Sequence, residues 1–182
     1  MIGPEFPATL DAARRGDHPA LERLYRDTAP VVLGYLRGLG APDAEDLAGE
    51  VYVAMVTGLD RFDGDERQFR SWLLTIAHRR RADAARRWAR RPEDPVAPDA
   101  LPDGVEPTST SALATNRLEV DRVLAAIDEL TEDQRAVLLL RTVADLPIEQ
   151  VAAVLGKPVT AVKALQRRAQ ASLLRKLPER SP

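Results

Sequence analysis

Basic side chains are concentrated near the C-terminal end of the chain, in a pattern that suits contact with phosphate groups. Between Gly156 and Leu177 there are six basic residues and no acidic residue. The basic residues are Lys157, Lys163, Arg167, Arg168, Arg175 and Lys176. Lysine and arginine neutralise nucleic-acid phosphates, and on one helix they can also reach base edges in the DNA major groove. The alternative interpretation is a solvated basic face on a helical hairpin.

A second basic segment lies in the first half of the chain, on a predicted helix that also carries Trp72 and Trp88. It has seven arginines against one acid, Asp83. The arginines are Arg79, Arg80, Arg81, Arg86, Arg87, Arg90 and Arg91. Arginines near aromatic rings such as Trp72 suit single-stranded nucleic acid, because rings stack on exposed bases while guanidinium groups hold phosphates. The alternative is that Trp72 belongs to the core and the arginines are merely solvated.

Three carboxylates, those of Asp43, Asp46 and Glu50, recur at helical spacing on one side of a predicted helix. Such a face is usually solvated surface, but it could also bind a metal ion or dock on a basic partner. The di-iron bundle pattern requires a Glu-x-x-His pair, which this segment does not have. His78 stands alone without a second ligand, so we expect no metal ion and no cofactor.

Composition restricts the class of protein. The formal net charge is −2 and there is no cysteine, so disulfides and thiol catalysis are excluded within the chain. No apolar run approaches membrane-spanning length, and the N-terminus lacks the order of a signal peptide. We therefore expect a cytoplasmic protein with no membrane contact. An enzyme is not expected, because a glycine-rich phosphate loop and a nucleophile paired with a base are both missing.

The chain is predicted to be all-α. Alanine, leucine and arginine dominate, and strand-like alternation is nowhere sustained. A helix-turn-helix is expected at the C-terminal end, with a first helix over 147–155, a stop at Gly156 and a second helix over 160–177. Thr131 and Gln134 fit a capping box that opens the preceding helix. Residues 1–8 are expected to be loose.

Two small helical domains are predicted, joined by a proline-rich acidic linker. Residues 1–92 form the first domain and residues 117–182 the second, with four helices. The segment 93–116 is rich in proline and its charged residues are all acidic. Such a composition cannot form a packed core, so we expect an extended tether.

The order of these segments resembles bacterial RNA polymerase sigma factors of the extracytoplasmic-function (ECF) type. DAEDLAGEVYVAM is similar to the family helix that docks on the largest polymerase subunit. FRSWLLTIAHRRRADAARR is similar to the segment that recognises and melts the minus-ten element. LTEDQRAVLLLR and LPIEQVAAVLGKPVTAVKALQRRA together are similar to the domain that reads the minus-thirty-five element.

The resemblance assigns a role to each motif residue. The residues expected to bind polymerase are Asp43, Glu45, Asp46, Leu47 and Glu50. The loop 62–67 is expected to capture a flipped-out base of the non-template strand. The residues expected to contact the minus-ten element are Phe62, Asp63, Gly64, Arg67, Trp72, His78, Arg79, Arg80, Arg86 and Arg87. The residues expected to contact the minus-thirty-five element are Lys157, Thr160, Lys163, Arg167 and Arg168.

The resemblance also implies partners and a function. The partners are core RNA polymerase, promoter DNA as duplex and as melted strand, and an anti-sigma factor. The implied function is promoter-specific initiation of transcription, with RNA synthesis left to the polymerase. The competing interpretation is a stand-alone helix-turn-helix regulator with an N-terminal helical sensor domain, which would dimerise on a palindromic site.

Overall fold

The computed structural model describes residues 1–89, 126–127 and 129–176, and within these ranges it contains seven α-helices and no strand. The helices are α1 (Phe6–Arg14), α2 (His18–Gly38), α3 (Ala44–Gly58), α4 (Glu66–Ala89), α5 (Glu132–Thr142), α6 (Ile148–Leu155) and α7 (Val159–Lys176). The predicted linker 93–116 and most of residues 117–130, the start of the predicted second domain, lie outside the described residues. We call α1–α4 the N-terminal half and α5–α7 the C-terminal half.

The first residues are ordered into helix, so the prediction of a loose segment over 1–8 is wrong. A 3₁₀ turn spans Gly3–Glu5, and α1 begins at Phe6. The Phe6 ring is buried and its centroid lies 5.5 Å from that of Phe69 on α4. Proline suits the first turn of a helix, where its missing N–H needs no partner, so Pro4 and Pro7 start these turns.

The N-terminal half packs four helices around one apolar core. Asp17 caps α2 by accepting a hydrogen bond from the Ala20 amide at 3.0 Å. Tyr35 on α2, Val51 on α3 and Leu73 on α4 are fully buried in the core between the helices. This packing leaves the opposite sides of α3 and α4 to carry charge.

Helix α4 begins at Glu66, directly after the acidic loop. The Asp65 side chain accepts a hydrogen bond from the Gln68 amide at 2.7 Å, and the Gln68 side chain accepts one from the Asp65 amide at 2.8 Å. This reciprocal pair satisfies two N–H groups at the helix start, as a capping box does. Asp65, one of the acidic residues of the loop before α4, therefore serves as a helix cap.

The predicted features of the helix-turn-helix are confirmed. Thr131 and Gln134 form a capping box at the start of α5. Gly156 ends α6 with φ +63°, a left-handed conformation that glycine adopts without strain. Helix α7 follows after a turn of three residues, Gly156 to Pro158.

The two halves contact each other and share one hydrophobic core. Helix α6, the first helix of the helix-turn-helix, packs on α4, and α5 lies against α2. The approach is close at Gly38, where an added Cβ would lie 2.8 Å from both methyl carbons of Leu139. The arginine-rich helix is therefore partly covered by the C-terminal half.

Candidate nucleic-acid interface

Helix α7 has a buried apolar face and an exposed basic face. Val162 and Ala169 are fully buried. Lys163, Arg167 and Arg168 are exposed, and none of them has an ion pair within the described part of the chain. A helix with a free basic face after a glycine turn has the geometry that enters a DNA major groove.

The predicted contacts at the start of α7 divide into one free residue and one that is paired. Thr160 is exposed at the first turn. The Lys157 ammonium lies 2.9 Å from a carboxylate oxygen of Asp133, which stands in the first turn of α5. Lys157 therefore also ties the helix-turn-helix to the helix before it.

The arginines of α4 do not all face solvent. Arg79, Arg86 and Arg87 are exposed, as the sequence predicts. The Arg81 side chain is only 16% exposed, because it forms an ion pair with Glu132 and donates a hydrogen bond to the Leu39 carbonyl at 3.1 Å. Arg81 therefore belongs to the contact between the halves, while Arg90 and Arg91 lie outside the described residues.

Carboxylates partly neutralise the basic face of α4. The Glu50 carboxylate lies 3.4 Å from the Arg80 guanidinium and 3.9 Å from that of Arg87. Arg86 is paired with Asp83 one turn before it. Arg79 has no ion pair among the described residues, so it presents the least compensated positive charge on this face.

The loop before α4 rests on a cluster of aromatic rings. The Phe62 side chain is 8% exposed, and its ring centroid lies 5.2 Å from that of Trp72, with the planes inclined by 28°. Phe62 and the half-buried Trp72 therefore support the loop from below. Asp63 and Arg67 are exposed on the loop and on the first turn of α4.

Gly64 is required at the tip of this loop by close packing. A Cβ added there would lie 2.7 Å from the side-chain oxygen of Gln68 and 3.1 Å from the Phe62 ring. The Gln68 amide cannot move away freely, because it caps the start of α4. The loop can therefore approach α4 this closely only with glycine at position 64.

His78 is half-buried on α4, where it packs against α2. Its Nδ1 atom is 3.0 Å from the Tyr35 hydroxyl. Burial lowers the pKa of His78 below its ordinary value, against the opposing effect of the Glu132 carboxylate. A neutral imidazole at this contact ties α4 to α2 within the N-terminal half.

The acidic face of α3 is only partly free. Asp43 and Asp46 are exposed and have no ion pair within the described ranges. Glu45 is paired with Arg37, and the hydrogen bond from that arginine lowers the pKa of the Glu45 carboxyl. The Leu47 side chain is buried in the core, so it positions α3 and offers no surface to a partner.

Comparison with known proteins identifies the family to which the chain belongs. The family model "Sigma-70 region 2" matches residues 24–91, and the model "Sigma-70, region 4" matches residues 121–173. The ECF RNA polymerase sigma factor SigD of Mycobacterium tuberculosis is 31% identical over 93% of this chain and 82% of its own length. This chain is an ECF RNA polymerase sigma factor. ShbA of Streptomyces griseus, another member, is 32% identical over 91% of this chain and 92% of its own.

Solved structures agree with this assignment. The sigma factor resembles CnrH, determined in complex with the cytosolic domain of CnrY, with a TM-score of 0.66 and 26% identity over 96% of this chain and 97% of that chain. It shares its fold with RpoE of Bartonella quintana, at a TM-score of 0.66 and 19% identity over 88% of this chain and 98% of that chain. The sigma factor directs promoter-specific initiation, and the alternative of a stand-alone regulator is not supported.

Two apolar residues on α3 that were not predicted as site residues are exposed. Val53 is 66% exposed and Val56 is 51% exposed. Val53 lies about two helical turns after Asp46, so it continues the acidic face. Neither residue belongs to the buried stripe of α3. Their positions outside the four-residue spacing of that stripe can be read from the sequence. The members of the buried stripe are Leu47, Val51, Met55 and Leu59.

Two further observations concern other kinds of site. Among the described residues, no group of three histidine, cysteine, aspartate or glutamate side chains is arranged to hold a metal ion. None of the helices in the described part of the sigma factor combines the length and apolar character that a membrane crossing needs.

Proposed function

We propose that the sigma factor holds two promoter elements with two separate basic surfaces and holds the polymerase with a third, acidic and apolar surface. The observation that carries the proposal is the exposure of unpaired cations on both DNA-facing helices. Arg79 on α4 and Lys163 and Arg167 on α7 are exposed without ion pairs in the described residues. Such uncompensated charge contributes little to the stability of the folded protein. It favours nucleic-acid binding, because contact with phosphate groups releases counterions.

The upstream element is read by α7. Its exposed basic side chains project from one face, while its buried face fixes the helix on α5 and α6. Contacts to phosphate orient the helix, and contacts to base edges select the sequence. Thr160 and Lys163 stand near the helix N-terminus, which is the part of a recognition helix that approaches base edges.

The melted minus-ten strand is held along α4 and captured at the loop 62–67. Arg79, Arg86 and Arg87 supply phosphate contacts. Exposed Asp63 and half-buried Gly64 form the rim of the loop, above the ring pair of Phe62 and Trp72. The rings act from beneath the loop, so the base is held by the loop itself and not by stacking on Phe62.

Core RNA polymerase is bound by α3. Asp43 and Asp46 offer free carboxylates, and Val53 and Val56 offer apolar surface beyond them. A charged rim beside an apolar centre is the usual anatomy of a protein interface. Glu50 is shared with Arg80 and Arg87, so binding of polymerase at α3 and of DNA at α4 should influence each other.

The division into domains 1–92 and 117–182 with a tether over 93–116 is part of the proposal. Opening of the contact between α4 and α6 would let the two halves reach elements that lie apart on the promoter. The sigma factor acts in the cytoplasm and has no catalytic role of its own. An anti-sigma factor is a further proposed partner, in keeping with the structure of the similar RpoE, which was determined with the anti-sigma factor NepR.

Transcription of genomic DNA from the source organism tests the proposal. Purified core polymerase is supplied with the sigma factor, and the 5′ ends of the transcripts are sequenced. We expect a set of start sites that depends on the added protein and shares upstream and minus-ten elements. Random initiation, unchanged by the sigma factor, would contradict the proposal.

A further inference from the structure

The N-terminal segment 2–14 packs against the loop that precedes α4. This segment lies outside the ranges matched by the family models, which begin at residue 24. It holds the loop at both ends, through Arg14 at the start and through backbone amides at the end. The segment is therefore a candidate for a role in the base capture proposed for the loop.

Arg14 binds the start of the loop by two backbone carbonyls. Its Nε atom donates to the Leu59 carbonyl at 3.4 Å, and an Nη atom donates to the Phe62 carbonyl. The remaining Nη atom donates to Asp11 at 3.0 Å, which fixes the plane of the guanidinium. A planar fork held in this way sets the relative orientation of the two carbonyls.

Glu66 binds the end of the loop to the first residues of the chain. Its side chain is buried, with a residue exposure of 9%. One carboxylate oxygen accepts from the Ile2 amide at 2.5 Å and the other accepts from the Gly3 amide at 2.9 Å. Both acceptors are satisfied by backbone groups, so the segment and the loop are joined as one unit.

An open cleft of about 440 Å³ lies between the segment and the loop. Such a volume falls within the range of about 300–1,000 Å³ that small-molecule pockets occupy. Residues of α1 and the turn before it line one wall, and residues 63–66 line the other. Asp11, Asp63 and Asp65 make the rim acidic, which disfavours a phosphate and suits an uncharged base.

We infer that residues 3–14 form the second wall of the pocket for the unpaired minus-ten base, and that Arg14 is a positioning residue for this pocket. The inference rests on the proposed function of the loop 62–67. Arg14 does not need to touch the base. It fixes the carbonyls of Leu59 and Phe62, and thereby the course of the backbone through Asp63 and Gly64, which face the cleft.

Base preference at the minus-ten element tests this inference. A sigma-dependent promoter found by genomic transcription is randomised at each minus-ten position in turn, and transcripts made by the holoenzyme are counted for each base. A single position usually discriminates between bases by about 5- to 150-fold. We expect Arg14→Ala to lower the best-to-worst ratio at one position by about fivefold or more, with other positions unchanged.

Two controls separate positioning from general damage. Arg15→Ala removes the same charge next to Arg14, from an exposed side chain that forms no hydrogen bond or ion pair with the loop. Leu140→Ala weakens the core at α5, a helix that does not line the cleft. Both variants should keep the wild-type ratio even where total transcription falls. Glu66→Gln loosens the loop at its other end and should lower the base preference at the same minus-ten position. This variant replaces Arg14→Ala in the test if Arg14→Ala does not fold.

The possible outcomes are distinct. A wild-type preference that survives in both Arg14→Ala and Glu66→Gln overturns the inference and leaves the proposed function intact. A wild-type holoenzyme that shows no base preference at any minus-ten position contradicts the proposed function of the loop, and the inference with it. Loss of the base preference in Arg14→Ala and Glu66→Gln, with the preference retained in both controls, supports the inference that residues 3–14 form the second wall of the base pocket.

Discussion

Arg81 on α4 is joined by an ion pair to Glu132 on α5, and this pair connects the two DNA-binding halves of the sigma factor. Arg81 also donates to the Leu39 carbonyl at the end of α2. Three helices therefore meet at one guanidinium. Since α6 covers part of α4 in the same arrangement, the proposed function requires this contact to open.

Glu132→Gln should loosen this contact. Arg81 is largely buried while the Glu132 side chain is about half exposed, so we expect a loss of about 1 kcal/mol in the free energy of unfolding. The radius of gyration measured by small-angle X-ray scattering should increase. Glu149→Gln, at an exposed acid without an ion pair in the described residues, is the matched control. Equal scattering from both variants and the wild type would count against the role of the pair.

Acid should destabilise the sigma factor through His78. The folded state holds the pKa of His78 below its ordinary value of about 6.5, so the unfolded chain binds the proton more readily. Stability from this group is fully present above about pH 6.5 and is lost as the pH falls towards the folded-state pKa. The free energy of unfolding should therefore fall further in the wild type than in His78→Gln between about pH 7.5 and pH 5.5. Parallel losses in the two proteins would exclude His78 as the source.

Removal of a phosphate contact on α7 should weaken DNA binding evenly across sequences. We expect Arg168→Ala to reduce the slope of log affinity against log salt concentration by about 1, measured with the holoenzyme on an upstream-element duplex. Arg26→Ala, at an exposed arginine on α2, should leave the slope unchanged. An unchanged slope in Arg168→Ala would show that Arg168 does not contact a DNA phosphate.

A charge placed on the apolar part of α3 should impair polymerase binding. Val53 is exposed, so Val53→Asp should change the free energy of unfolding by no more than about 0.5 kcal/mol. Its affinity for core polymerase should fall about tenfold, because interface residues that matter contribute more than about 1 kcal/mol. Leu174→Asp, at an exposed leucine on α7, is the control. Wild-type affinity in Val53→Asp would restrict the docking face to the acids.

The features that sequence predicts well are those fixed by neighbours along the chain. The capping box of Thr131 and Gln134 and the left-handed stop at Gly156 depend on residues within one turn. The exposed face of α7 follows from the spacing of its buried residues, Val162 and Ala169. In each case the local pattern determines the structure without help from distant contacts.

The features that sequence did not predict depend on partners far along the chain. Arg81 looks like its neighbouring arginines until Glu132 on α5 is brought against it. His78 turns towards Tyr35, which precedes it by 43 residues. The helix at Phe6 was missed because nearby prolines resemble chain breakers, although they stand where a helix can begin.

Site-specific crosslinking in the promoter complex tests whether α4 and α7 contact two different promoter elements. A photoreactive amino acid is placed at Arg79 in one protein and at Lys163 in another, and each holoenzyme is irradiated on the same promoter. We expect the probe at position 79 to label the non-template strand of the minus-ten element. We expect the probe at position 163 to label the minus-thirty-five element. Labelling of one element by both probes, or of neither element by either probe, would contradict the proposed function.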